Sequence, residues 1–135
     1  MAYQTIEEME FFRWYVEVAD QVWKCVEGWK PFERDTVGKQ LVHAADSVGA
    51  NLVEGDGRYS AGDALHFFII ARASARETRY WIQRAVERNL LPQDKAIMLL
   101  ERLTDATRLL NNFIHYRRQH RSQNQIKEEP TDYQT

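Results

Sequence analysis

Apolar residues recur at helical spacing along four stretches of this chain, and each of the first three stretches runs into residues that interrupt a helix. Phe12, Tyr15, Ala19, Val22 and Val26 form the first stripe, closed by Pro31, which cannot continue a helix. Leu41, Ala45, Val48 and Leu52 form the second, closed near Gly55 and Gly57. The third runs along Phe67, Ile70, Ala71, Ser74, Thr78, Trp81, Ile82 and Ala85 to the break at Asn89–Pro92. Leu99, Leu103, Ala106, Leu110 and either Phe113 or Ile114 form the fourth. No alternation of period two and no internal repeat competes with this pattern. The expected fold is all-α, an antiparallel up-down four-helix bundle.

End signals sharpen the boundaries. Thr5-Ile6-Glu7-Glu8 matches a capping box, from which helix one runs to about Trp29. Helix two is expected to begin near Asp35 or Thr36 and to end with Gly55 as a left-handed C′ residue. Ser60 is a natural N-cap for helix three, and Pro92 suits the first position of helix four. Residues 1–121 then form the bundle. Residues 122–135, rich in Gln, Glu and Thr, read as a flexible polar tail.

Composition narrows the function classes. A chain of 135 residues fits one domain that can bury a core without staples. The single Cys25 excludes a disulfide framework and a cysteine-rich zinc site, and it fits a reducing cytoplasm. Met1–Glu10 has three glutamates and no basic stretch, so it is not read as a signal peptide, and no apolar run approaches the roughly 18 residues of a membrane span. No membrane association is expected. Charge is unevenly spread. Residues 1–60 carry a net −5, residues 61–121 a net +5, and the last fourteen a net −2. Such polarity can serve helix pairing within the chain, head-to-tail association, or an anionic ligand on the basic half.

Catalytic and metal constellations are weak. A ferritin-like site needs Glu-x-x-His pairs, and none of His43, His66, His115 or His120 has a glutamate three residues before it. Cys25 has no identifiable histidine or acid partner, and the serines lack a nucleophile-elbow context. The chain is therefore expected to be no enzyme and to need no metal or cofactor. The Gly55–Arg58 turn resembles an anion-binding turn, with the alternative that Arg58 simply pairs with Glu54.

Three other groups stand out. Ser47, Asn51 and Glu54 follow one another at i, i+4 and i+7 beside the apolar stripe of helix two. A buried polar group without a partner costs about 1–3 kcal/mol, so this row is expected to find donors or acceptors on another helix. Removing Glu54 is then expected to cost more than about 1 kcal/mol. Arg72, Arg76 and Arg79 form a basic stripe on helix three, and Arg117, Arg118 and Arg121 cluster late in helix four. Both arginine groups could meet RNA or DNA phosphates, or be solvated or paired internally, two of the helix-three arginines then facing Glu54 and the acids of helix one. Helix one carries more aromatics than one inward stripe can hold. Phe11, Trp14, Trp23 and Trp29 are the expected surplus, available to a subunit interface.

The motif Gln40-Leu41-x-x-Ala44-Ala45-x-Ser47-Val48-x-Ala50-Asn51-Leu52-x-Glu54-Gly55-x-Gly57-Arg58 resembles one seen in a bacterial four-helix-bundle family. That family was first noticed as intervening-sequence proteins encoded within inserts of 23S rRNA genes. The likeness continues through Phe67-Phe68-x-Ile70-Ala71-x-x-Ser74-x-x-Glu77 and covers about residues 10–118. It implies an up-down bundle that forms homopentameric rings, with a molecular role that is unsettled. A more basic branch, the accessory variability proteins of diversity-generating retroelements, binds nucleic acid and a reverse transcriptase. The resemblance marks Ser47, Asn51, Glu54, Arg58, Ser74 and Glu77 as family positions, here expected to form an interhelical polar network. His43 stands where arginine is usual, Gly49 where proline is common, and Ala73 where glycine is common. Arg72 and Arg76 replace residues that are often apolar or small. An assembly or adaptor protein is the leading expectation, and an RNA- or DNA-binding accessory protein the alternative.

Overall fold

The computed structural model describes residues 4–127, apart from the side chains of residues 121–127, and every regular element among these residues is helical. The long helices are α1 (Glu10–Glu27), α2 (Lys39–Asp56), α3 (Ala61–Glu87) and α4 (Gln93–Lys127). Each packs against the next in the chain, and α4 closes the square by packing on α1. This is the up-down bundle that the four apolar stripes imply. The α1–α2 side and the α3–α4 side are therefore opposite faces of one molecule. The α4 backbone stays helical six residues beyond Arg121, and residues 128–135 of the expected tail lie outside the described residues.

Local chemistry moves several boundaries. The Thr5 backbone N–H and hydroxyl both donate to Glu8 Oε2 at 3.0 Å, and the backbone bond most of all holds the Glu8 carboxyl below its usual range. This cap serves only a 3₁₀ turn, Ile6–Glu8, because Met9 is extended and the chain restarts as α1 at Glu10. Pro31 does more than stop α1. It opens a short α turn, Pro31–Glu33, that continues through a π turn, Arg34–Gly38, directly into α2. Helix two thus begins earlier than Asp35. Ser60 caps α3 as expected, its Oγ accepting from the Asp63 N–H at 3.1 Å. Asn89, at φ 60°, makes the left-handed turn before α4.

Gly55 has a different job from the one its sequence position suggests. It lies inside α2, and the helix ends on Gly57 with φ −87°, so no left-handed residue is used there. A Cβ on Gly55 would stand 2.7 and 2.9 Å from two ring carbons of Phe68 and 3.0 Å from the Ala64 carbonyl oxygen. Gly55 is therefore a point of close approach between α2 and α3. Gly38 does the same between α1 and α2, where a Cβ would meet Val26 Cγ1 at 2.6 Å.

The core confirms two stripes in full and two in part. Leu41, Ala45, Val48 and Leu52 are buried, as are Leu99, Leu103, Ala106, Leu110 and Ile114. On α1 the buried residues are Phe11, Tyr15, Val18, Ala19, Val22 and Val26, so only Phe12 of the expected stripe gives way. On α3 Ala71, Thr78, Ile82 and Ala85 are buried as expected, joined by Ala64, Leu65, Phe68 and Ala75 in place of Phe67, Ile70, Ser74 and Trp81. Phe11 and Phe68 point inward because both close on Phe113, with ring centroids 5.4 and 5.2 Å apart. Filling a core position with a large side chain contributes about 1.5–3 kcal/mol, enough to choose between adjacent phenylalanines. Phe12 and Phe67 are left half-buried at the edge.

Candidate functional site

The polar row on α2 is satisfied within its own helix. Ser47 Oγ donates to the His43 carbonyl at 2.7 Å, and Asn51 Nδ2 donates to the Ser47 carbonyl at 2.8 Å. On α3, Glu77 Oε2 accepts from Trp81 Nε1 at 3.2 Å, and the Ser74 carbonyl accepts from Thr78 Oγ1 at 2.8 Å. These bonds are local, each spanning one helical turn, and they replace the interhelical partners expected from sequence. Glu54 meets the cation it requires. Arg58 Nη2 lies 2.9 Å from Glu54 Oε2, Arg58 Nη1 lies 3.6 Å from Asp63 Oδ2, and the guanidinium sits 4.4 Å over the Phe67 ring. This staple joins the end of α2 to the start of α3. Because two carboxylates already engage Arg58, the turn is poorly suited to an added anion.

The helix-three arginines face α4, not the acids of α1. Arg72 Nη1 donates to Asn111 Oδ1 at 2.9 Å, and Arg79 Nη2 donates to Thr104 Oγ1 at 2.6 Å and to the Leu100 carbonyl at 3.3 Å. Together with Arg76 and Arg108 they line an open groove between α3 and α4 that has no carboxylate in its wall. Arg76 and Arg108 make no ion pair or hydrogen bond among the described residues. The floor holds Leu103 and Thr107. Behind it, Tyr15 donates to or accepts from Thr107 Oγ1 at 2.6 Å. Burial pushes the Tyr15 phenol up to about 12, against the opposing pull of the Thr107 bond and of Arg72 and Arg79.

The α4 arginines do not act together. Arg117 packs over Phe68 and Phe113, 5.3 and 5.5 Å from their centroids, and so turns toward the core. Arg118 is exposed and, seven residues after Asn111, shares the groove face of α4. The Arg121 side chain lies outside the described residues. Arg108 is the member that the helix-three stripe did not announce. Its spacing from Thr104 and Asn111 on the polar face of α4 is the signal that would have found it.

The opposite side of the bundle carries a furrow between α1 and α2, whose two sections share Asp46 and Ala50. Its walls repeat one spacing. Phe12, Val16, Ala19 and Trp23 stand at i, i+4, i+7 and i+11 on α1, and Val42, Asp46, Gly49 and Val53 do so on α2. That is the spacing of a helix seam, and part of it is used within the chain, where a Cβ on Gly49 would lie 3.7 Å from Phe12 and 3.8 Å from Val16. Trp23 is 56% exposed, Val53 43% and Val16 38%. Of the four aromatics expected at an interface, only Trp23 is free. Phe11 is in the core, Trp14 lies under the Arg102 guanidinium at 5.0 Å, and Trp29 packs half-buried against the core. Phe12 takes the place that Phe11 was expected to hold.

Among the described residues, no group of three or more His, Cys, Asp or Glu side chains is arranged to hold a metal ion. No helix among them is long and apolar enough to cross a membrane.

Comparison with known proteins agrees with the bundle. A solved structure from Bacteroides thetaiotaomicron, described as a protein of unknown function from the S23 ribosomal protein family, superposes with a TM-score of 0.69. It is 21% identical, and the alignment covers 77% of this chain and 97% of that one, a likeness of fold. No curated protein matches the sequence. A sequence model of the 23S rRNA-intervening sequence proteins matches residues 7–112, nearly the whole bundle. This chain belongs to the 23S rRNA-intervening sequence protein family.

Proposed function

We propose that this chain is a non-catalytic interaction protein that works as a homo-oligomer, with the pentameric ring implied by the sequence resemblance as its expected form. The observation that carries this reading is the α1–α2 furrow. Two helices of a finished bundle present a second seam, with Trp23, Val16 and Val53 exposed along it. An apolar patch bounded by charge marks a contact surface. Among the described residues, no arrangement of nucleophile, acid and base supports a reaction. Cytoplasmic assembly fits the lone, half-buried Cys25. Sedimentation velocity at micromolar concentration tests the reading. A Trp23→Glu variant should dissociate, and an unchanged profile would count against the furrow.

A second reading rests on a separate observation, the acid-free arginine groove. Four guanidinium groups with two uncommitted suit a phosphate backbone, so RNA or DNA is the alternative partner. Fluorescence anisotropy with single-stranded RNA and duplex DNA tests it. Replacing Arg76 and Arg108 by glutamate should abolish binding at low salt, and binding that survives the change would remove the groove from consideration.

A further inference from the structure

The two faces described above differ in charge as well as in position. The section of the α1–α2 furrow between Phe12 and Val53 contains Asp20 and Asp46 and no cation, whereas the adjoining section around Trp23 carries Arg34 and Lys39 beside Glu27. Burial, and then the neighbouring Asp20 charge, raise the Asp46 carboxyl above its ordinary range, with His43 opposing. These carboxylates therefore already repel each other beside an apolar seam. Pairing these two acidic sections face to face would bring four carboxylates together, a like-charge juxtaposition that disfavours a two-fold contact centred there. The α3–α4 groove has the complementary character. Its wall has four arginines and no acid, its apolar parts include Ile69, Ala73 and Leu103, and Tyr80 stands 52% exposed at its rim.

We infer that the chain associates head to tail, the α1–α2 furrow of one copy seating on the α3–α4 arginine groove of the next, with Asp20 and Asp46 meeting Arg76 and Arg108. This rests on the reading that the chain self-associates and adds which surfaces meet. Because the two faces lie on opposite sides of the bundle, every copy can give one contact and receive another. Such heterologous contacts propagate, closing into a ring where the rotation permits. Arg72 and Arg79 are held by α4 and shape the groove, whereas Arg76 and Arg108 are left to supply charge.

The test uses two charge-reversed full-length proteins, Asp20→Lys/Asp46→Lys and Arg76→Glu/Arg108→Glu, examined by sedimentation velocity alone and mixed. The first protein keeps Arg76 and Arg108 and the second keeps Asp20 and Asp46, so the two reversed surfaces match each other only across the mixture. Each variant alone should associate on the order of 100-fold more weakly than the wild type. The equimolar mixture should recover species heavier than either variant alone. Circular dichroism melting of each variant shows whether the bundle is intact. A monomeric wild type at tens of micromolar would overturn self-association itself. An associating wild type whose midpoint is unchanged by either reversal would overturn this pair of surfaces and leave self-association standing. Folded variants that dissociate but do not recombine would also overturn the pairing.

Discussion

Replacing Gly55 by alanine tests the close packing of α2 on α3. In an exposed helix the change would stabilise by about 1 kcal/mol, since glycine is the poorer helix former. Here the added methyl would stand 2.7 and 2.9 Å from the Phe68 ring and 3.0 Å from the Ala64 carbonyl oxygen. Phe68 is fully buried and packed on Phe113, so its ring has little room to retreat. Overpacking of this kind costs typically 1–3 kcal/mol, and contact with both a ring and a backbone oxygen argues for the upper half. The net expectation is a loss of about 1–2 kcal/mol, or roughly 4–8 °C in Tm for a chain of this size. Gly57→Ala is the control, because a Cβ there meets nothing closer than the Val53 carbonyl at 3.7 Å. Thermal melts of Gly55→Ala, of Phe68→Leu and of the double variant, beside the wild type, give the coupling energy. A Gly55→Ala protein as stable as the wild type would refute the close-contact account of this glycine.

Other expectations follow from single side chains. Tyr15→Phe should cost about 0.5–1.5 kcal/mol near neutral pH, through loss of the Thr107 hydrogen bond. The unfolded phenol ionises near 10 and the folded one near 12, so wild-type stability should fall by about 2–3 kcal/mol as pH rises across that window. The phenylalanine variant lacks this loss, and parallel pH curves for the two proteins would contradict the buried phenol. Asp46 has its carboxyl raised from an ordinary 3.8, so the folded protein holds that proton to higher pH and loses stability as pH rises through the folded value. Asp46→Asn should therefore melt higher than the wild type at neutral pH, with the advantage vanishing below 3.8, when measured at concentrations too low for association. A lower melting point at neutral pH would reverse the sign. Glu54→Ala should cost under about 1 kcal/mol, because the Arg58 pair is solvent-exposed and Arg58 keeps Asp63; a larger loss in denaturant titration would restore a buried role.

The legible parts of this fold are those that a helix determines from its own sequence. The stripes of α2 and α4 read correctly, with Ile114 the buried one of the Phe113–Ile114 pair that spacing left open. On α1 and α3 the periodicity had to choose between Phe11 and Phe12 and between Phe67 and Phe68. That choice is made by Phe113, far along the chain, and spacing cannot see it. Gly55 looked like a helix end for the same reason, since the contact that requires it lies on Phe68. The polar row was visible, but its solution was not. Hydroxyl and amide groups at Ser47 and Asn51 reach a carbonyl one turn back, which satisfies them without a partner helix. The arginine stripe was also visible. What the sequence could not show is that α4 turns Thr104, Arg108 and Asn111 toward it and no acid, which makes a stripe into a basic groove.

Sedimentation equilibrium of the wild-type chain at micromolar concentration, in low and moderate salt, bears most directly on the central claim. A protein that presents a second seam on α1–α2 should sediment as a homo-oligomer, at five times the 16.0 kDa chain mass for the expected ring, and should loosen as salt rises. A single species of one chain mass in both salts would contradict it.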